Sequence, residues 1–213
     1  MSDAMKLRFL PHSPYVRKVL VVAHEIGMID RLAIEEAHVF DPQTPLLKEN
    51  PLGKVPSLLR DDGTSLYDST VICQYLDSLH DRARMFPAAG EALWQALRRN
   101  ALGDGLGQAA TWNIRERYRA EGEKSPAYMA YYERGIERSL AALEREAAEL
   151  GRQFLIGEIS IACALSYLDL RYPDRDWRKA YPGLSGWYDK VTVRPSMRAT
   201  ELKSYKGPLQ PTV

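Results

Sequence analysis

The chain has 213 residues, enough for two modest domains or one large one. Its 29 Lys and Arg stand against 28 Asp and Glu, and a formal charge of +1 argues against a dedicated nucleic-acid binder, which needs a broad basic surface to neutralise phosphate. Two cysteines argue against a disulfide scaffold, four scattered histidines against a metal centre, and the lack of any long apolar run against a membrane span.

The opening MSDAMKLRF lacks the apolar core of a secretory signal, so the expected compartment is the cytoplasm. Lys6 to Leu10 alternates as a strand does. Pro11-His12-Ser13-Pro14 then breaks it, with Ser13 at the N-cap and Pro14 at the first position of a helix. Val16, Leu20, Ala23 and Ile26 give that helix an apolar stripe, and Gly27 stops it. Leu32 to Glu36 reads as a second strand, and a polar loop through Pro42 and Pro45 leads on to Asn50. From Asn50 to Thr70 the pattern is a turn, a strand (Val55 to Arg60), the hairpin signal Asp61-Asp62-Gly63 and a short strand (Ser65 to Tyr67). Asp68-Ser69-Thr70 then starts a helix carrying Val71, Ile72, Tyr75, Leu76 and Leu79. The first eighty residues therefore form a compact α/β domain with mixed strand directions.

Residues 81–90 (DRARMFPAAG) carry a proline and no periodicity and are read as a linker; residues 91–213 read as an all-helical domain. One helix covers Glu91 to Tyr118, a long amphipathic one follows Ser125-Pro126, and Ile159 to Leu170 is apolar nearly all round, as a helix buried at the middle of its domain is. A last helix runs from Gly183 to about Arg194-Pro195.

Two helix starts bear chemistry. Ser13 fits a plain capping role, and the same geometry places a hydroxyl and a helix dipole where they favour an anion such as a thiolate. Nothing marks it as an acylating nucleophile, since no Gly-x-Ser-x-Gly elbow surrounds it. Asp68-Ser69 caps its helix or, with the free N–H groups behind it, binds a carboxylate while Asp68 counters an ammonium. A cis bond at Pro56 turns the Val55 backbone outward, free to pair with an extended peptide-like ligand, and Lys54 beside it meets a second carboxylate. Gly103-Asp104-Gly105-Leu106-Gly107 resembles a phosphate loop, but no strand precedes it, so a close helix approach or a kink is expected. Trp112, Asn113, Arg115 and Tyr118 line a cleft or a solvated face, and Cys73 and Cys163 read as small core residues.

Together these segments resemble the glutathione S-transferase family over nearly the whole chain. The carriers are Ser13-Pro14-Tyr15-Val16, Asn50-Pro51-Leu52-Gly53-Lys54-Val55-Pro56, Leu66-Tyr67-Asp68-Ser69, and Tyr181-Pro182-Gly183-Leu184 with Trp187 and Arg194-Pro195. The resemblance implies a thioredoxin-like α/β domain over 1–80, a linker over 81–90, an all-α domain over 91–213 and a homodimer. It implies glutathione as co-substrate, no metal, and a small electrophile as second substrate in a detoxifying conjugation. On it, Ser13 activates the glutathione sulfur, Val55 before Pro56 pairs its cysteinyl backbone, Asp68 and Ser69 hold the γ-glutamyl end, and Lys54 lies near the glycyl carboxylate. The electrophile is expected near Pro11, His12, Trp112 and Arg115. A non-catalytic binding or regulatory protein of the same fold, or another glutathione-dependent enzyme (isomerase, dehalogenase or peroxidase), is the alternative. Ser13-Pro14-Tyr15-Val16 lacks the two sulfurs of a Cys-Pro-x-Cys motif, which makes mixed-disulfide chemistry a poor fit. Leu155 to Glu158 keeps the acid of the family's capping box and loses its hydroxyl, which puts stability of that helix in question.

Overall fold

A computed structural model of the chain describes residues 4–204, so the outermost ends of both expected domains lie outside the described residues. A four-stranded mixed sheet comes first, ordered β2-β1-β3-β4. Its strands are β1 (Met5–Phe9), β2 (Leu32–Glu36), β3 (Ser57–Leu59) and β4 (Ser65–Leu66). β1 runs parallel to β2 and antiparallel to β3, with Leu7 opposite both Ile34 and Leu58. The parallel pair requires a crossover, supplied by helix α1 (Pro14–Glu25). β1 begins one residue before the expected strand and departs from strict alternation, because Arg8 is buried as well as Leu7. Arg8 reaches Glu49 and Glu35, each at 2.5 Å, and Glu49 belongs to a short helix α2 (Leu46–Glu49). β3 is shorter than expected: Val55 and Pro56 fall before it, outside the ladder.

Helix α1 is set by its ends. Ser13 Oγ accepts the Val16 N–H at 3.3 Å, Pro14 occupies the first turn, and Gly27 leaves the helix at φ 69°, a left-handed conformation only glycine adopts cheaply. Helix α3 (Ser69–Ser78) is capped by Asp68, whose Oδ1 accepts the Thr70 N–H at 2.9 Å and the Val71 N–H at 3.4 Å.

Residues 81–89 hold no regular element but are pinned. The Asp77 carboxylate accepts the Met85 and Phe86 N–H groups at 2.8 and 3.2 Å, and the Met85 carbonyl accepts the Ile156 N–H at 3.2 Å. The helical domain follows: α4 (Gly90–Arg117), α5 (Pro126–Leu150), α6 (Ile156–Arg171), α7 (Trp177–Ala180), α8 (Pro182–Thr192) and α9 (Pro195–Ala199). Every residue of α6 from Ile156 to Leu168 is buried, as its all-round apolar sequence requires. Gly103 lies inside α4, where a Cβ would meet the backbone of Ser160 and Ile161 at 2.6 Å, so the glycine-rich run marks close approach of α4 to α6. Gly157 meets Ala96 and Arg99 in the same way from the α6 side.

The α6 start lacks a hydroxyl cap, since Leu155 has no acceptor in its side chain. Half of the box survives: Glu158 Oε2 accepts the Leu155 N–H at 3.1 Å, while its Oε1 pairs with Arg99 at 2.9 Å. The two domains are joined by a buried cation. Lys18 of α1, only 1% exposed, donates to both Asp104 carboxylate oxygens at 2.8 and 2.7 Å, to Asn100 Oδ1 at 3.2 Å and to Thr70 Oγ1 at 3.1 Å. The short elements went unforeseen: α2, α7, α9 and the 3-10 turn Ile29–Arg31 are too brief to show a period.

Candidate active site

Between the loops at the end of the sheet where β1 finishes and helices α4 and α6 lies a cleft of ≈ 680 Å³, within the range of small-molecule sites. His12, Ser13, Lys54, Val55, Pro56, Asp68 and Ser69 line it from the first domain, and Trp112 and Arg115 line it from α4. Pro11 is not among the lining residues; its carbonyl instead accepts the Lys203 N–H at 2.9 Å. Asn113 is not brought to the cleft either: it is buried, donates to the Met129 carbonyl at 3.0 Å and accepts the Tyr172 hydroxyl at 3.1 Å.

Ser13 is buried, and its oxygen is engaged as acceptor by the Val16 N–H. That bond uses the oxygen as acceptor and leaves the hydroxyl proton available for donation. Next to it, the Tyr15 hydroxyl donates to the Asp104 carbonyl at 3.2 Å, and burial with the Asp104 charge drives its pKa upward, so it remains a neutral phenol. The Val55–Pro56 peptide is cis, as is Tyr67–Asp68. Among the described residues the Val55 N–H and C=O make no hydrogen bond within the chain. Asn50 fixes this loop, donating to the Lys54 carbonyl at 2.8 Å and accepting the Leu52 N–H at 3.0 Å. Ser69 is the first residue of α3, so its N–H has no carbonyl one turn back, and it sits in the cleft wall. The arrangement offers an extended ligand backbone pairing at Val55, N–H groups for a carboxylate at Ser69, a carboxylate at Asp68 and a hydroxyl at Ser13.

The end of the cleft at His12 is set apart by its charge. Burial, then the Arg171 and Arg115 charges, lower the His12 pKa from 6.5 to about 4, so the imidazole is neutral at physiological pH. Arg171 lies at 5.9 Å from the centre of the Tyr167 ring, and burial raises the Tyr167 pKa against the pull of Thr111 and both arginines. Thr111, Tyr167 and Arg171 were not foreseen from sequence. Tyr167 belongs to the apolar run of α6, where a core reading covers it, Arg171 follows that run at the helix end, and nothing local shows that α6 borders the cleft. Both cysteines are buried with thiols pushed up by burial, Cys73 to about 12 and Cys163 to about 11, which leaves them unreactive.

Among the described residues, no group of acidic, His or Cys side chains has metal-binding geometry, and no helix is long and apolar enough to cross a membrane.

The chain is similar to known proteins over most of its length. Residues 7–84 match the model of the glutathione S-transferase N-terminal domain, and 119–190 that of its C-terminal domain. A glutathione transferase family member from Pseudomonas fluorescens Pf-5, solved with bound glutathione, is 42% identical, with a TM-score of 0.90 over 94% of this chain and 100% of that one. The uncharacterized GST-like protein YibF of Escherichia coli (strain K12) is 29% identical over 200 residues, 92% of this chain and 98% of its own length. Elongation factor 1-gamma of Rattus norvegicus is 26% identical over 193 residues, 85% of this chain but 43% of that protein.

Proposed function

Because the chain belongs to the glutathione S-transferase family, we propose that it binds glutathione in this cleft and transfers it to an electrophilic carbon. One observation carries the reading. The Ser13 hydroxyl opens into the same cleft as the unpaired Val55 backbone and the α3 N-terminus at Ser69. A tripeptide laid along it pairs its cysteinyl backbone with Val55, sets its γ-glutamyl carboxylate on Ser69 and its ammonium against Asp68, and turns its glycyl carboxylate toward Lys54.

The sulfur then falls at Ser13. An unperturbed thiol has a pKa of about 8.5 and is mostly protonated at neutral pH. Donation from the Ser13 hydroxyl and the α1 dipole favour the thiolate, and the proton leaves to water. The sulfur lone pair forms the C–S bond as the leaving group departs with the C–X pair. Proximity and thiolate stabilisation supply the catalysis.

The homodimer, the cytoplasmic location and a detoxifying role belong to the same proposal, and sedimentation of the purified protein tests the dimer. Calorimetric titration with glutathione and conjugation of a generic aryl halide test the core of it: binding with turnover is expected. The similarity to elongation factor 1-gamma supports the second reading, a non-catalytic role for the same fold. Failure of both assays would decide for that role.

A further inference from the structure

Two guanidinium groups line the cleft without a counter-ion among the described residues. Arg115 comes from the last turn of α4 and Arg171 from the end of α6, and both line the cavity. Both charges act on His12 and on Tyr167, which places them at the same end. Among the described residues neither forms an ion pair, whereas their helix neighbours do: Arg98 and Arg99 pair with Glu146, and Arg117 with Glu133. Arg171 Nε is buried with no hydrogen-bond partner. A buried donor left so is uncommon and marks a place where an acceptor belongs.

Among the described residues no uncommitted carboxylate reaches this end. Asp104 is held by Lys18, Asn100 and Ser160, and Asp68 caps α3. Nor does glutathione supply one, given the reading above, on which this step rests, because its two carboxylates are placed at Ser69 and Lys54. Phe40, Trp112 and Tyr118 supply an aromatic lining nearby. We propose that the electrophile carries a carboxylate on an apolar body, with Arg115 and Arg171 holding the carboxylate and the aromatic side chains covering the body. Planar guanidinium forks suit that group better than a point charge does.

Two glutathione conjugates that differ only at this group provide the test: S-(4-carboxybenzyl)glutathione and S-(4-carbamoylbenzyl)glutathione, titrated calorimetrically beside glutathione itself. The wild-type protein should bind the carboxylate conjugate roughly tenfold or more tightly than the carboxamide, the scale of a charge-assisted hydrogen bond. Arg171→Gln and Arg115→Gln should each erase most of that preference, and Arg171→Lys should retain part of it. Glutathione affinity in each variant reports whether the cleft is intact. Equal binding of the two conjugates, or an equal loss for both in the variants, overturns the proposal while leaving glutathione recognition standing. Failure of glutathione and both conjugates to bind removes the parent reading, and this one with it.

Discussion

At the residue scale the Ser13 oxygen accepts from the α1 backbone and lines the cleft, and the proposed function gives its proton to the thiolate. Ser13→Ala should therefore lose both. The cap is worth about 1 kcal/mol of stability, read by urea unfolding. The donor to thiolate is worth roughly ten- to a hundredfold in kcat, with glutathione affinity little changed, and Ser13→Thr should restore most of both. Unchanged turnover in Ser13→Ala would reduce Ser13 to a helix cap. His12 gives a second prediction. Its folded pKa lies near 4, below the ordinary 6.5, so from pH 6.5 down to about 4 the unfolded chain takes up a proton that the folded one refuses. His12 should make folding less favourable across that window, and the effect levels off below it. A ring titration by NMR showing a midpoint near 6.5 would contradict the burial and the arginine field assigned to it.

At the scale of elements, the glycines of α4 and α6 set how close the two helices lie. Gly103→Ala would drive a methyl group into the α6 backbone at 2.6 Å, and backbone cannot move aside as a flexible side chain does. The gain in helix propensity, about 1 kcal/mol, should be outweighed by a clash of about 1–3 kcal/mol or more, for a net loss measurable by urea unfolding. A stabilised variant would show that the approach is looser than this. The same elements show what a sequence carries. Caps and stops are local chemistry, so Ser13, Gly27, Asp68 and Ser125 marked their helices within a residue or so. The meeting of Arg115 with Arg171 is not local: it depends on the packing of α4 against α6, and no periodicity within either helix encodes it. Arg8 was hidden for a similar reason, since its partners come from β2 and from a helix of four residues. At the α6 start the lost hydroxyl was plain in the sequence, but the compensating Arg99 pair with Glu158 was not.

At the scale of the whole molecule the cleft exists only while the two domains hold their positions, and Lys18 is the buried tie between them. Its ammonium joins α1, the second residue of α3 and two residues of α4, immediately behind Ser69 and beside Asp104 of the cleft wall. Lys18→Met keeps the apolar stem and strands part of the Asp104 charge, and should cost about 3 kcal/mol of unfolding free energy. A loss under about 1 kcal/mol would mean that solvent already satisfies Asp104, as at an exposed pair. The central claim, that this assembled cleft stabilises a thiolate at Ser13, is tested most directly by titrating the ultraviolet absorbance of the glutathione thiolate in its complex with the protein. A thiol pKa about 1–2 units below the ordinary value of about 8.5 is expected, moving most of the way back in Ser13→Ala. An unshifted pKa in the wild-type complex, or a shifted one that ignores the loss of the Ser13 hydroxyl, would contradict it.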